Sequence, residues 1–426
     1  MYGKERGLRT ALSTAFVLAA VAALTLVLTA ALLARTGIPF TAAYTVSILA
    51  AVVGTLAVSR GGRTLLALPS PAVTAWLVYE EIIARGLSWQ EMLGIAAVTS
   101  CVGMLLTRTK YADAWTRALP PIVRTGLVLG LGCGMLTAAA LYARILLPSP
   151  WALSMGGTLS DPLTYFTLTG ILLVLVLHAR NVRTALPLGM VLIGALTWAE
   201  GFWEIPPAPF LMPDLGGTAG ALTLAQSDPF AAAGLGLTLL LALLIESMAV
   251  LAAEAEPITR QQPLAPLFGV SGCMSLLGAF PLTIAPISAA LPEASEDRRI
   301  AGIPLTACLT ALLLLLLLPC AVLMQALADF PAVPAIALAV LGLMLLVRAL
   351  QMLPRAAHFT RGRCHRCVHP RGVRCADRAD ACALSVYAAH GGAWRKSHAR
   401  DMGAHGAFQL VFSDSMDSIE AWFLKI

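Results

Sequence analysis

Apolar runs long enough to cross a bilayer recur through the first 350 positions of this 426-residue chain. A spanning helix needs about 20 predominantly apolar residues. Only 12% of the residues are charged and 58% are hydrophobic, whereas a soluble domain carries about 25% charged residues. The excess apolar surface has to face lipid. In hydrocarbon every backbone amide and carbonyl must pair internally, so runs of this length fold as helices. The chain therefore reads as an all-α polytopic membrane protein of about twelve transmembrane segments, at 12–33, 39–58, 64–84, 91–107, 122–146, 163–179, 185–199, 231–253, 264–279, 281–292, 302–328 and 331–352. The first run is too long for a cleavable signal peptide and lacks a small-residue cleavage site, so it counts as a span.

Charge placement orients these spans. Lys4, Arg6 and Arg9 precede the first, Arg60 and Arg63 follow the second, Arg108, Lys110, Arg117 and Arg124 follow the fourth, and Arg180 and Arg183 follow the sixth. The alternate loops hold only Arg35, Arg85 and Arg144. Lys and Arg accumulate on the cytoplasmic side, which puts the N-terminus in the cytoplasm and fits a bacterial cytoplasmic (inner) membrane. The net charge of +6 does not indicate a nucleic-acid partner, because eleven Lys/Arg against six Asp/Glu lie beyond residue 353. Cys101, Cys133, Cys273, Cys308 and Cys320 lie in apolar segments and read as small core residues rather than a disulfide framework.

The spacing of the spans predicts an internal repeat. Spans one to five begin at 12, 39, 64, 91 and 122, and spans eight to twelve begin at 231, 264, 281, 302 and 331. An odd number of spans per repeat inserts the two halves in opposite directions, the inverted-repeat plan of many secondary transporters. The third and tenth spans match in another way. Leu68-Pro69-Ser70-Pro71-Ala72-Val73-Thr74 and Pro281-Leu282-Thr283-Ile284-Ala285-Pro286 each combine two prolines with hydroxyl residues. Proline removes an amide donor and clashes with the preceding turn, so these spans are expected to be broken. Paired broken segments point to a binding site near the membrane midplane. The organisation that follows is a first repeat over 1–199, an extracytoplasmic loop over 200–230, a second repeat over 231–353, and a Cys/His/Arg-rich cytoplasmic tail over 354–426.

Three stretches resemble the nucleobase/ascorbate transporter superfamily, most closely its adenine/guanine/hypoxanthine permease (AzgA-like) branch. Leu68 to Tyr79 followed by Gly86-Leu87-Ser88-Trp89-Gln90 is similar to that branch's A-P-G-M-G-L-N-A-F-F-A-Y and G-x-S-W-Q, with Thr74 at its Asn. Ile245-Glu246-Ser247-Met248 is similar to F-D-T-L, with Glu246 at the substrate-binding carboxylate. Leu282-Thr283-Ile284-Ala285-Pro286 stands where the branch has T-T-Y-I-E-S. The resemblance implies a seven-plus-seven inverted-repeat transporter fold lacking its last two spans here, and uptake of purines or related nucleobases (the purine or xanthine/uracil class) as a proton symporter by alternating access. A homodimer is admitted. Two departures stand out: Pro286 or Ala289 occupies the place of a second carboxylate, and Ser70-Pro71-Ala72 replaces a glycine-rich turn.

Glu246 is the acid placed well inside a span. A charge near the midplane costs on the order of 3 kcal/mol, so such residues are usually paired and functional. A carboxylate accepts from ring N–H groups and exchanges protons. Ser247, Thr74, Ser70 and Thr283 are the candidate hydroxyl partners, although each can instead bond backbone. Glu80 and Glu81 read as a solvated rim, Gly130-Leu131-Gly132-Cys133-Gly134 as a helix-packing motif, and the aromatics of the 200–230 loop as membrane-surface anchors. No enzyme motif is found, and no cofactor or metal is expected. Cys364 and Cys367 have C-x-x-C spacing but lack a second pair, since Cys375 and Cys382 are seven apart. The tail lacks any run that crosses a bilayer where two further spans are due, which leads to the expectation of a shifted coding frame near codon 354 and a disordered end. Two other readings stay open: a non-transporting degenerate paralogue, and an anion carrier of the same architecture.

Overall fold

The computed structural model describes residues 2–109, 121–148, 153–155, 160–182, 184–215, 217–224, 229–253, 263–290 and 299–366. The tail beyond Arg366, with most of its Cys and His, lies outside the described residues. Among the described residues, seven helices are long and apolar enough to cross a membrane, or eight if one bent pair counts as a single span. The elements are α1 (Tyr2–Ala34), α2 (Phe40–Val58), β1 (Ala67–Pro69), α3 (Pro71–Trp76), α4 (Trp89–Arg108), α5 (Pro121–Tyr142), β2 (Leu146–Pro148), β3 (Leu153–Met155), α6 (Pro162–Ala179), α7 (Ala185–Ala199), α8 (Pro229–Ala253), α9 (Leu264–Ser275), β4 (Leu282–Ile284), α10 (Ile287–Ala290), β5 (Arg299–Ile300), β6 (Ile303–Pro304), α11 (Leu305–Leu316), α12 (Ala321–Asp329) and α13 (Ala332–Arg366).

Several helices are shorter than the apolar runs implied, and at the third and tenth expected spans the chain forms only short strands and helices. Helix α7 has 15 residues and α9 has 12. The α9 helix stops because Gly278 turns the chain at φ +97, where a Cβ would sit 2.6 Å from the Cβ of Thr218. Helices α11 and α12 are bent by 42° at Leu318–Cys320, around Pro319. The break is not left unsatisfied. Tyr44 donates to the Leu317 carbonyl at 3.3 Å, and the Leu211 amide donates to the Pro319 carbonyl at 2.9 Å.

Packing divides the helices into two bundles. In the first, α1, α2, α4, α8, α9 and α11 surround the two short strands and their helices α3 and α10. The second consists of α5, α6, α7 and α13. Helices α5 and α13 pack more extensively than any other pair, because Gly132 and Gly342 meet at their crossing. A Cβ on Gly132 would lie 3.1 Å from the Gly342 carbonyl oxygen, and one on Gly342 would lie 2.9 Å from that of Gly132. Glycine lets the backbones touch there. The glycines of the expected packing motif divide their work, however. Gly126, Gly130 and Gly134 face open space.

Strand β1 pairs antiparallel with β4, with Ala67 opposite Ile284, Leu68 opposite Thr283 and Pro69 opposite Leu282. All six residues are buried. Three-residue strands leave most of their amides without a ladder partner, and an unpaired buried donor costs about 1–3 kcal/mol. Hydroxyls from the surrounding elements fill the gaps. The Ala67 amide donates to Thr55 Oγ1 at 3.2 Å, Leu66 to Ser288 Oγ at 3.0 Å, and Leu282 to Ser271 Oγ at 3.0 Å. The Ala285 amide donates to the Leu66 carbonyl at 2.7 Å.

Two smaller expectations are corrected. Cys101, Cys133 and Cys273 are exposed on the outside of the bundles, not in the core. Residues of the 200–230 loop are tied to protein as well as facing outward: Phe202 stacks on Phe330 with ring centroids 5.0 Å apart, and Trp203 Nε1 donates to the Gly194 carbonyl at 3.2 Å.

Candidate functional site

The site grows from the turn between β1 and α3. Ser70 has an extended backbone, and its Oγ accepts from the Val73 amide at 3.3 Å, capping α3 with Pro71 in the first turn. Proline suits that position because its missing amide needs no partner there. The same Ser70 hydroxyl donates to Glu246 Oε1 at 2.8 Å. Glu246 projects from the C-terminal third of α8, and Thr283 of β4 lies beside its carboxylate. Two short strands and one long helix therefore converge on a single carboxylate.

That carboxylate lies on the wall of a cavity of about 1100 Å³ between the two bundles. The first bundle supplies Ser70, Pro71, Ala72, Ile245, Glu246 and Ala285 among others, and the second supplies Gly126, Gly130 and Gly134 of α5 with Leu338 and Leu341 of α13. The three α5 glycines fall at helical intervals of four and present bare backbone to the cavity. Of the lining residues, only Arg35 and Glu246 carry charge.

The five residues expected from sequence divide by position. Ser70 and Glu246 line the cavity. Thr74 is buried in α3 and does not line it. Ser247 is fully buried, and its Oγ accepts from the Ile284 amide at 3.5 Å. Thr283 sits behind the wall, where its hydroxyl also donates to the Leu68 carbonyl at 3.5 Å. The place of the second carboxylate is apolar, since Ala285, Pro286 and Ile287 form that part of the wall. Glu81 is not a solvated rim residue. It is buried, and Arg85 pairs with it at 3.1 Å while also reaching the exposed Glu80 at 3.5 Å.

Sequence reasoning missed Arg35, Tyr79 and Tyr142, all of which line the cavity. Tyr79 lies in a π-helical stretch, Leu77–Ala84, that continues α3; the Arg85 amide donates to the Glu80 carbonyl five residues back. Such wide turns recur at functional sites. The unusual run of Glu80-Glu81 next to Tyr79 was the available signal, but nothing local tied Arg35 to it across 44 residues.

No family model matches the chain. A Methanocaldococcus jannaschii protein with a permease name is 26% identical over 219 residues, 51% of this chain and 49% of that protein. The guanine/hypoxanthine permease PbuO of Bacillus subtilis is 26% identical over 188 residues, 42% of this chain and 44% of PbuO. The chain resembles the nucleobase permeases. These permease relatives are not enzymes, and the chain matches about half the length of each. The permease-like chain also shares its fold with the transmembrane domain of the cyanobacterium bicarbonate transporter BicA, at a TM-score of 0.54 and 15% identity, covering 82% of this chain and 96% of that one. The fold is thus that of a multi-pass helical membrane protein.

Proposed function

We propose that the chain is a secondary active transporter that takes up purine or related nucleobases together with protons, by alternating access of the cavity between its two bundles. The observation that carries this reading is the Glu246 carboxylate, held by Ser70 and facing a large, mostly apolar cavity at the meeting point of two strand–helix elements. A ring N–H of a base is a matching donor, and an acid inside a span can exchange a proton with what it binds. Within this reading the segments around β1–α3 and β4–α10 are the broken third and tenth of twelve spans, related by an inverted repeat over 1–199 and 231–353. The antiparallel pairing of β1 with β4 supports that symmetry. Ser70 orients the acid, Thr283 and Ser247 hold the surrounding backbone and bear on substrate through it, and Thr74 packs in α3 behind them. The N-terminus lies in the cytoplasm, the membrane is the bacterial inner membrane, and two chains associate as a homodimer.

The test is uptake of radiolabelled adenine, guanine, hypoxanthine, xanthine and uracil in cells lacking their own permeases, with and without a protonophore. Saturable uptake that the protonophore collapses and Glu246→Gln abolishes is the expected result. Correctly inserted protein that moves none of these bases would remove the substrate assignment.

A further inference from the structure

Arg35 and Glu246 put one positive and one negative group on the wall of the same cavity. Arg35 follows the C-terminus of α1, and its Nη1 donates to the Tyr79 hydroxyl at 2.5 Å. Its guanidinium also lies over the Tyr79 ring, 5.6 Å from the centroid. Tyr142 of α5 lines the same cavity from the second bundle. Among the described residues Arg35 has no carboxylate partner. An arginine held this way is oriented by the aromatic ring and by one of its five N–H donors, which leaves the others to face a ligand. A purely apolar ligand would gain nothing from such a group, and a ligand with donors alone would be repelled by it.

We propose that Arg35, positioned by Tyr79, is a recognition site for the acceptor edge of 6-oxopurines and makes the cavity select guanine and hypoxanthine over adenine. This rests on the proposed nucleobase function and deepens it. A 6-oxopurine presents O6 and N7 as two adjacent acceptors, the pair that arginine's planar fork matches with two parallel hydrogen bonds. On its other edge it carries N1–H, a donor suited to Glu246. Adenine places an amino donor where O6 would be, and its N1 accepts rather than donates. It therefore offers neither O6 to Arg35 nor N1–H to Glu246. The lining charges are arranged for a ring with one donor edge and one acceptor edge, engaged as the base moves along the cavity.

The decisive measurement is the KM for guanine and for adenine in cells expressing the full chain, with membrane insertion followed by a fluorescent fusion. Arg35→Gln is expected to raise the guanine KM on the order of tenfold, the cost of one lost bidentate contact, while leaving the adenine KM unchanged or lower. Arg35→Lys, which keeps the charge but not the fork, should shift the guanine-to-adenine ratio in the same direction. Tyr79→Phe, which keeps the ring but frees the guanidinium, should give a smaller shift of the same sign. Equal changes for both bases, or none, in a wild-type protein that does transport guanine would overturn this inference and leave the proposed function intact. A wild-type protein that moves neither base would overturn both.

Discussion

The hydroxyl of Ser70 belongs at once to the N-terminus of α3 and to the carboxylate of Glu246. Replacing it with alanine removes a helix cap, worth about 1 kcal/mol, and leaves a buried carboxylate with one donor fewer. Ser70→Ala is therefore expected to lower the melting temperature in detergent and to weaken uptake more than the stability loss alone explains. Ser70→Thr, which retains the hydroxyl, should restore both. Glu246 was legible in the sequence because an acid in the middle of an apolar run is conspicuous. Thr74, Ser247 and Thr283 could not be sorted in the same way, since a hydroxyl in an apolar segment bonds backbone or ligand according to what packs against it. Here the neighbouring strand claims Ser247 and Thr283. The burial of Glu81 was equally hidden, because its partner Arg85 sits one turn away whether that turn is wet or dry.

At the scale of the element, the amides of β1 and β4 are held in an apolar interior by hydroxyls from other elements. Ser271 of α9 receives the Leu282 amide, and its loss to alanine would orphan a buried donor. The expected cost is about 1–3 kcal/mol, read as a lower unfolding temperature of the detergent-solubilised protein; Ser271→Thr should recover most of it. Pro69, Pro71, Pro281 and Pro286 announced that continuous helices could not pass here. They did not announce strands. A three-residue strand has no periodicity to read, and its pairing joins segments more than 200 residues apart. Helix lengths were overestimated for a related reason. An apolar run marks what can be buried in lipid or protein, while Gly278 and Pro319 decide where the helix stops or bends.

For the whole molecule, the decisive feature is the seam between two bundles, one face of which is α5. That helix carries two sets of glycines with opposite purposes. Gly132 admits the backbone of α13 at Gly342, while Gly130 opens onto the cavity. Gly132→Leu should force α5 and α13 apart and reduce the yield of folded protein, measured by monodispersity in size-exclusion chromatography. Gly130→Trp should leave folding intact and block uptake by filling the cavity; wild-type uptake by that variant would mean that substrate takes another path. The sequence by itself determined that this chain is a multi-pass helical membrane protein, that prolines cluster at 69–71 and 281–286, and that Glu246 sits in an apolar run. Those properties follow from local composition, because the bilayer rewards any sufficiently long apolar run regardless of its neighbours. Only the tertiary structure decided which glycines pack and which line a cavity, which hydroxyls serve the backbone, and that Arg35 and Tyr79 share a wall with Glu246. Each of these depends on how helices distant in the chain are set against one another, and no local pattern encodes that arrangement.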